Sequence, residues 1–174
     1  MYDNLIDIIL SDFKNDLDIH FKKYRNHVLR IYNYSMLLDD DETNYKKYVI
    51  AATFHDLGIW HANTFDYLKP SIELARAYLI KNDKNDWIVE ITLMIDMHHK
   101  RSFYKGEYEK TVEVFRKADW IDVTLGIKKY GLNKSKIKAI HKEFPNKGFH
   151  WFLVKQTFRN LLKNPTNPLP MFKK

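Results

Sequence analysis

The amino-acid sequence predicts an all-α protein, and the spacing of its apolar residues is the main reason. Apolar side chains recur three or four residues apart almost throughout the chain, which is the spacing of one helix face. No segment shows sustained alternation of apolar and polar residues, so no β-sheet is expected. With 174 residues, 45% of them hydrophobic, the chain is long enough for one domain with a substantial core. A single-domain helical bundle over residues 1–174 is therefore expected.

Eight segments have helical spacing, and several are bounded by residues that start or end helices. In chain order they cover residues 5–17, 20–38, 44–56, 71–80, 85–100, 107–126, 133–144 and 147–162. Asp86 and Asn133 are expected to cap helix N-termini, and Gly126 and Gly131 to end helices. Residues 57–70 are expected to form a loop, with Pro70 suited to the first turn of the next helix. The tail, residues 163–174, contains three of the five prolines and is expected to lie extended over the surface.

The composition excludes several kinds of function. The chain has no cysteine, so it has neither disulfide bonds nor a thiolate nucleophile or metal ligand. No apolar run approaches the ~20 residues that a membrane helix needs, and the N-terminal segment is acidic where a secretion signal would be basic. A cytoplasmic protein without a membrane partner is expected. The net charge of +7 is attributed mainly to solvated surface lysines, and no nucleic-acid partner is expected.

Six polar residues lie among apolar neighbours on four of the predicted helices. They are His27, His55, Asp56, His98, His99 and Asp119. Because burying an unpaired polar or charged group is costly, these side chains need compensating partners. A mixed imidazole and carboxylate set suits Mn²⁺, Fe²⁺, Co²⁺ and similar ions. Simpler partners also exist: Asp119 can pair with Arg116, and Asp56 can accept backbone N–H groups near Gly58.

Four local segments resemble those of a known protein family. They are YRNHVLRIYNYS (24–35), AATFHDLGIW (51–60), MHHK (97–100) and FRKADWIDVTLG (115–126). With His27, then His55 and Asp56, then Asp119, the sequence resembles the HD-domain superfamily of metal-dependent phosphohydrolases, which has the pattern H…HD…D. The segments FPNKGFH and NPLPMF near the C-terminus resemble a bacterial subgroup of small HD-domain proteins.

The resemblance implies a metal centre and indicates which part of the chain forms it. His27, His55, Asp56 and Asp119 would bind one divalent ion, which could be Mn, Fe, Co, Ni or Mg. The metal-binding core would span about residues 24–126, followed by C-terminal helices and the tail over 127–174. A second ion is less expected, because two-metal relatives use further histidines and residues 71–80 contain none. His61 lies in the preceding loop, without a defined role.

The resemblance also implies hydrolysis of a small phosphorylated substrate, with a nucleotide as the expected compound. Asp56 would help to orient the attacking water as well as bind the ion. His98 or His99 would protonate the leaving oxygen, since an imidazole pKa suits that task at neutral pH. Arg30 or Lys100 would neutralise a phosphate. The alternative for the histidine pair is that one ring caps its helix and the other packs in the core.

Two other functions are also compatible with the sequence. The first is a metal-dependent hydratase or other lyase acting on a small neutral molecule, which would need a small apolar pocket without a basic residue near the ion. The second is a non-catalytic HD module that binds a ligand. The aromatic residues Trp60, Phe65 and Tyr67 would either form a wall for a base or close the core beneath their loop.

Overall fold

The computed structural model of the protein describes residues 4–167, 169 and 171, and within them it contains helices and turns but no β-strand. The predicted all-α class is confirmed. The α-helices are α1 (Asn4–Ser11), α2 (Lys14–Leu17), α3 (Phe21–Leu38), α4 (Tyr45–Phe54), α5 (Gly58–His61), α6 (Leu68–Lys81), α7 (Ile88–Met97), α8 (Glu109–Val123), α9 (Lys134–Glu143) and α10 (Phe149–Lys163). Single 3₁₀ turns precede α3, α4 and α7.

Four helices form the centre of the bundle. α3 packs against α4 and α8, and α7 packs against α4, α6 and α8. Their facing side chains include Leu29, Ala51, Ile95 and Phe115, which are fully buried. Since the small side chain of Ala51 allows α4 to approach its neighbours closely, the polar residues on these helices are held within a densely packed core.

The structure departs from the sequence-based expectation at two helices near the site. The first predicted helix, residues 5–17, is divided into α1 and α2 by a tight turn that brings Phe13 edge-on to Phe54, with ring centroids 5.9 Å apart. The predicted loop 57–70 contains the four-residue helix α5. A Cβ at Gly58 would lie 2.5 Å from the Tyr67 carbonyl oxygen, so glycine is what allows α5 to pack directly on the start of α6.

The predicted helix ends are confirmed in part. Asn133 caps α9, because its side chain accepts a hydrogen bond from the backbone N–H of Ser135. The Asp86 prediction is wrong: this residue lies in a 3₁₀ turn, and Trp87 occupies the N-cap position of α7 without a side-chain hydrogen bond. Gly126 has a φ of 77° and follows α8, as expected of a glycine that ends a helix.

The expectation for the tail is tested only in part, since residues 168, 170 and 172–174 lie outside the described residues. Met171 is buried and packs with Ile59, Tyr67 and Leu68, so this part of the tail contributes to a small apolar cluster. Among the helices in the described part of the chain, none combines the length and the apolar character needed to cross a bilayer.

Candidate metal centre

The structure brings together the six polar residues that the sequence singled out. They come from the middle of α3, from α8 and from the segments directly after α4 and α7: His27, Asp119, His55, Asp56, His98 and His99. The first five of these are at most 3% exposed, and His99 is partly buried. The close packing of α3 on α8 and of α4 on α7 is what makes four separate helices meet at one point.

Three of these side chains, His27, His55 and Asp56, direct ligand atoms toward a common point, and Asp119 lies beside them. The Nε2 atoms of His27 and His55 are 3.0 Å apart. Asp56 Oδ2 lies 3.6 Å from the former and 3.4 Å from the latter, and Asp119 Oδ1 lies 4.0 Å from His55 Nε2. Around an ion with bonds of ~2.1 Å, neighbouring ligand atoms lie ~3 Å apart and opposite ones ~4 Å. The spacings among His27, His55 and Asp56 therefore fit a single divalent ion, whereas Asp119 does not lie within 4.8 Å of all three, and ligation by Asp119 stays a prediction.

The hydrogen bonds of the imidazoles indicate that their Nε2 atoms carry lone pairs. Each Nδ1 faces an acceptor: Asp122 Oδ2 at 2.7 Å from His27, the Ala52 carbonyl at 2.8 Å from His55, and the Ile95 carbonyl at 2.6 Å from His98. Each Nδ1 is therefore a protonated donor, and Nε2 carries a lone pair when the ring is neutral. With both rings neutral, two acceptor nitrogens 3.0 Å apart repel each other, and either a proton on His27 or a cation between the rings removes this repulsion. The chemistry of the donor set thus fits a metal ion.

The carboxylates of the centre lack the hydrogen bonds that buried acids normally have. In the described part of the chain, Asp56 Oδ1 and both carboxylate oxygens of Asp119 have no hydrogen-bond partner. A buried acceptor left unsatisfied costs about 1–3 kcal/mol, and more when it is charged. Arg116, the alternative partner of Asp119, is instead paired with Glu113 at 2.6 Å. A divalent ion would supply the missing interaction.

The electrostatics of the centre also depend on burial and on the imidazoles. Burial alone would lower the pKa of His27, but the hydrogen bonds to Asp122 and Asp56 outweigh it and raise the pKa to about 8. Burial would raise the pKa of Asp56, but the adjoining His55 and the other imidazoles lower it well below the usual range. Burial raises the pKa of Asp119. The ionised form of Asp119 therefore lacks sufficient positive charge nearby.

A second set of potential ligands overlaps the first. Atoms of Asp56, His98 and His99 lie within 4.8 Å of one another, and Asp56 Oδ1 is 3.6 Å from His98 Nε2. Asp56 thus turns one oxygen to the His27 and His55 pair and the other to His98. The described residues could hold one ion or two, and the expectation of a single ion stays a prediction.

His99 and His61 have different surroundings from the other histidines. His99 Nε2 and the Tyr67 hydroxyl form a hydrogen bond of 2.6 Å, and His99 Nδ1 lies 3.7 Å from Asp119 Oδ2. Burial and the neighbouring imidazole rings, His98 first, lower the pKa of His99 well below its usual value. His61 is half exposed and bonded to Asp16, and so lies apart from this ligand set. Tyr67, expected to be part of an aromatic wall or a core seal, is a polar partner of the centre.

Arg30 is not where a phosphate-binding residue was expected. Its guanidinium is fully buried and donates two hydrogen bonds to Asp122, from Nε at 2.5 Å and from Nη2 at 2.8 Å. Its remaining Nη1 donates to the Phe144 carbonyl at 2.9 Å. Arg30 therefore holds Asp122 against His27, on the side of that ring away from the ligand atoms. The carboxylate of Asp122 thus has both Arg30 and His27 as hydrogen-bond partners.

Lys100 directly follows the histidine pair and is half-buried. Its backbone carbonyl accepts hydrogen bonds from Arg116 Nη1 at 3.2 Å and from Trp120 Nε1 at 3.3 Å. Arg116 is fixed in turn by Glu113, which also accepts the backbone N–H of Tyr104. These contacts attach the segment after α7 to α8 and so fix the position of His98 and His99.

Aromatic side chains cover the centre. The Phe149 ring, at the start of α10, stacks on His27 with centroids 4.0 Å apart. Tyr24 packs beside His55 and contacts Trp60, which stacks on Phe152 of α10. Phe149 and Phe152 could not be assigned to the site from the sequence, because no spacing pattern relates α10 to α3.

The chain was compared with family models, with curated proteins and with solved structures, and none of them matches it. The metal-binding interpretation therefore depends on the geometry of the site itself.

Proposed function

We propose that the protein is a metal-dependent phosphohydrolase of the HD-domain type that acts on a small phosphorylated substrate, with a nucleotide as the expected compound. The observation that carries the proposal is the convergence of His27 Nε2, His55 Nε2 and Asp56 Oδ2 at 3.0–3.6 Å spacings in a buried site, with Asp119 Oδ1 4.0 Å from His55 Nε2. The order of these residues along the chain supports the same class, since it resembles the H…HD…D pattern.

The proposed chemistry assigns a task to each group of side chains. His27, His55, Asp56 and Asp119 would hold a divalent ion, which when bound supplies a water of lowered pKa and a Lewis acid for phosphoryl oxygens. Asp56 Oδ1 accepts no hydrogen bond from a described residue and is available to orient the attacking water. The resulting reaction is attack of water on phosphorus with departure of an alcohol or a phosphate.

Protonation of the leaving oxygen is assigned to the histidine pair. His98 is fully buried, whereas the side chain of His99 is 13% exposed and bonded to the Tyr67 hydroxyl. The exposure of His99 supports His99, with Tyr67, as the pair that reaches an incoming substrate, whereas the raised pKa of His98 and the lowered pKa of His99 support His98 as the ring that carries the proton. Lys100 is the remaining candidate for neutralising a phosphate, because the hydrogen bonds of Arg30 are directed to Asp122 and the Phe144 carbonyl.

A hydratase or other lyase acting on a small neutral molecule is the second candidate. The position of Arg30 favours it, because a guanidinium directed at the ligand set would have indicated an anionic substrate. A non-catalytic ligand-binding module is a third possibility. The convergence of complete imidazole and carboxylate sets is an argument against it.

The experiment is a screen of phosphate monoesters and diesters, including nucleotides, with Mn²⁺, Co²⁺, Fe²⁺, Ni²⁺ and Mg²⁺ supplied in turn. We expect turnover with at least one combination of substrate and metal ion. The rate should be about 100-fold or more lower in Asp56→Ala, because ion binding and water orientation are lost together. Asp16→Ala, which removes an exposed carboxylate, is the matched control and should retain activity. Rates equal to Asp56→Ala for every pair, from protein with bound metal, would contradict the proposal and favour the lyase.

A further inference from the structure

The helix α10 has an apolar face that no described part of the chain covers. Its members are spaced as on one helix face and are 41–70% exposed: Trp151, Val154, Phe158, Leu161 and Leu162. The opposite side of the helix packs inward through Phe149, which is fully buried, and through Phe152 and Leu153. Monomeric proteins rarely leave a continuous apolar stripe on a helix without a partner.

The charge around this face is strongly positive. Within the described residues 144–167 the sequence contains four lysines and arginines and no aspartate or glutamate. Beside the apolar face, Lys155 and Arg159 line a cleft of 550 Å³ together with Lys23 of α3. None of these three cations forms an ion pair with a described residue. The carboxylate of Asp16 also lines the cleft, so three cations and one carboxylate give it a net positive charge, which is suited to anionic groups.

We propose that α10 is the docking surface for an anionic membrane. A helix with Trp, Phe and Leu on one face and Lys and Arg beside it can lie in the bilayer interface, with its apolar face among the acyl chains. The phosphates of the lipid headgroups would then meet Lys155 and Arg159 in the cleft. This proposal replaces the expectation of no membrane partner, which concerned membrane-spanning and secretory segments.

The charge distribution favours a lipid surface over a second copy of the chain. An antiparallel pair of α10 helices joined by their apolar faces would place Lys155 and Arg159 beside the same residues of the other copy, and like charges at such an interface are unfavourable. The aliphatic Val154, Leu161 and Leu162 favour acyl chains over nucleic-acid bases, which stack on aromatic rings.

The test is sedimentation of the full-length protein with sucrose-loaded vesicles of phosphatidylcholine alone or mixed with phosphatidylglycerol. We expect tight binding only to the mixed vesicles. The variant Lys155→Gln/Arg159→Gln should bind them roughly 25-fold more weakly, because each cation near an anionic bilayer contributes a factor of about five. The variant Phe158→Gln/Leu162→Gln should bind at least about tenfold more weakly. Tryptophan fluorescence should shift to the blue on binding, and Trp151→Phe should remove most of that shift.

The controls are matched in charge and in exposure. Lys136→Gln/Lys142→Gln removes two exposed cations of α9, and Ile127→Gln removes a side chain that is 83% exposed outside α10. Both variants should bind as the wild type does. Equal binding to the two kinds of vesicle, unchanged binding by Phe158→Gln/Leu162→Gln, or a dimer in solution that this variant dissociates would each overturn the proposal. The assay needs no metal or substrate, so its result is independent of the proposed phosphohydrolase activity.

Discussion

Asp122→Asn should weaken both the fold and the metal centre. The carboxylate is fully buried and accepts two hydrogen bonds from Arg30 and one from His27. The substitution keeps the shape of the side chain but removes its charge, and the amide NH₂ would face a donor. The Arg30 guanidinium would remain buried, with the Phe144 carbonyl as its other described acceptor. Breaking a buried ion pair at one side typically costs about 3–5 kcal/mol.

The loss of stability is measured by urea unfolding of the metal-free protein, monitored by circular dichroism. With a slope of about 2 kcal/mol per M, the midpoint should fall by about 1.5–2.5 M urea. The affinity for the metal ion should fall about 10–100-fold, because Asp122 fixes the orientation and tautomer of the His27 ring. Asp12→Asn, at an exposed position, is the control and should change the free energy of unfolding by less than about 0.5 kcal/mol.

A double variant distinguishes loss of the ion pair from general damage. In Arg30→Met/Asp122→Asn no charge is left unpaired, and His27 Nδ1 can still donate to the amide oxygen. We expect this variant to be at least about 1 kcal/mol more stable than Asp122→Asn alone. A free energy of unfolding of Asp122→Asn within about 1 kcal/mol of the wild type, or a double variant that recovers no stability, would refute this role of the buried ion pair.

Two further predictions concern positions outside the ligand set. Burial alone would raise the pKa of Asp39, but hydrogen bonds from Lys110, Tyr48 and other donors hold it at about 2. The stabilisation of the fold by ionised Asp39 is therefore complete above pH ~4 and is lost as the pH falls toward 2. Since Lys110 is 61% exposed, we expect this stabilisation to be about 1 kcal/mol. It is measured by urea unfolding as the difference in free energy of unfolding between the wild type and Asp39→Asn, which should shrink between pH 5 and pH 2.5. Gly58→Ala should lower the free energy of unfolding by about 1–3 kcal/mol in the same assay, because the new Cβ would lie 2.9 Å from the Ser71 backbone nitrogen. An unchanged urea midpoint would show that α5 can move away from α6.

The sequence predicted the long helices and the residues that meet, but it did not predict why they fit together. His27 and Asp119 are recognisable because each interrupts an apolar face with a polar side chain. The acceptors for His55 and His98 were not predicted, although both follow one rule. Each histidine directly follows a helix, where carbonyl groups lack a helical donor, and its Nδ1 donates to the carbonyl three residues earlier.

The features that sequence reasoning missed depend on contacts between distant segments. Arg30 and Asp122 each lie three residues from a predicted ligand, so the spacing placed both near the site but did not show that they pair with each other. Phe149 stacks on His27 from a helix more than a hundred residues later, and no local pattern encodes that contact. The four-residue helix α5 is too short to produce a periodic apolar pattern.

The most direct test of the central claim is the metal content of the protein after equilibrium dialysis against Mn²⁺ or Co²⁺. We predict at least one tightly bound ion per chain in the wild type, and an affinity at least about tenfold lower in Asp119→Asn, which removes a carboxylate with no hydrogen-bond partner among the described residues. Equal and weak binding by both proteins would contradict the account, because the facing Nε2 atoms and unpartnered carboxylates would then serve no ion.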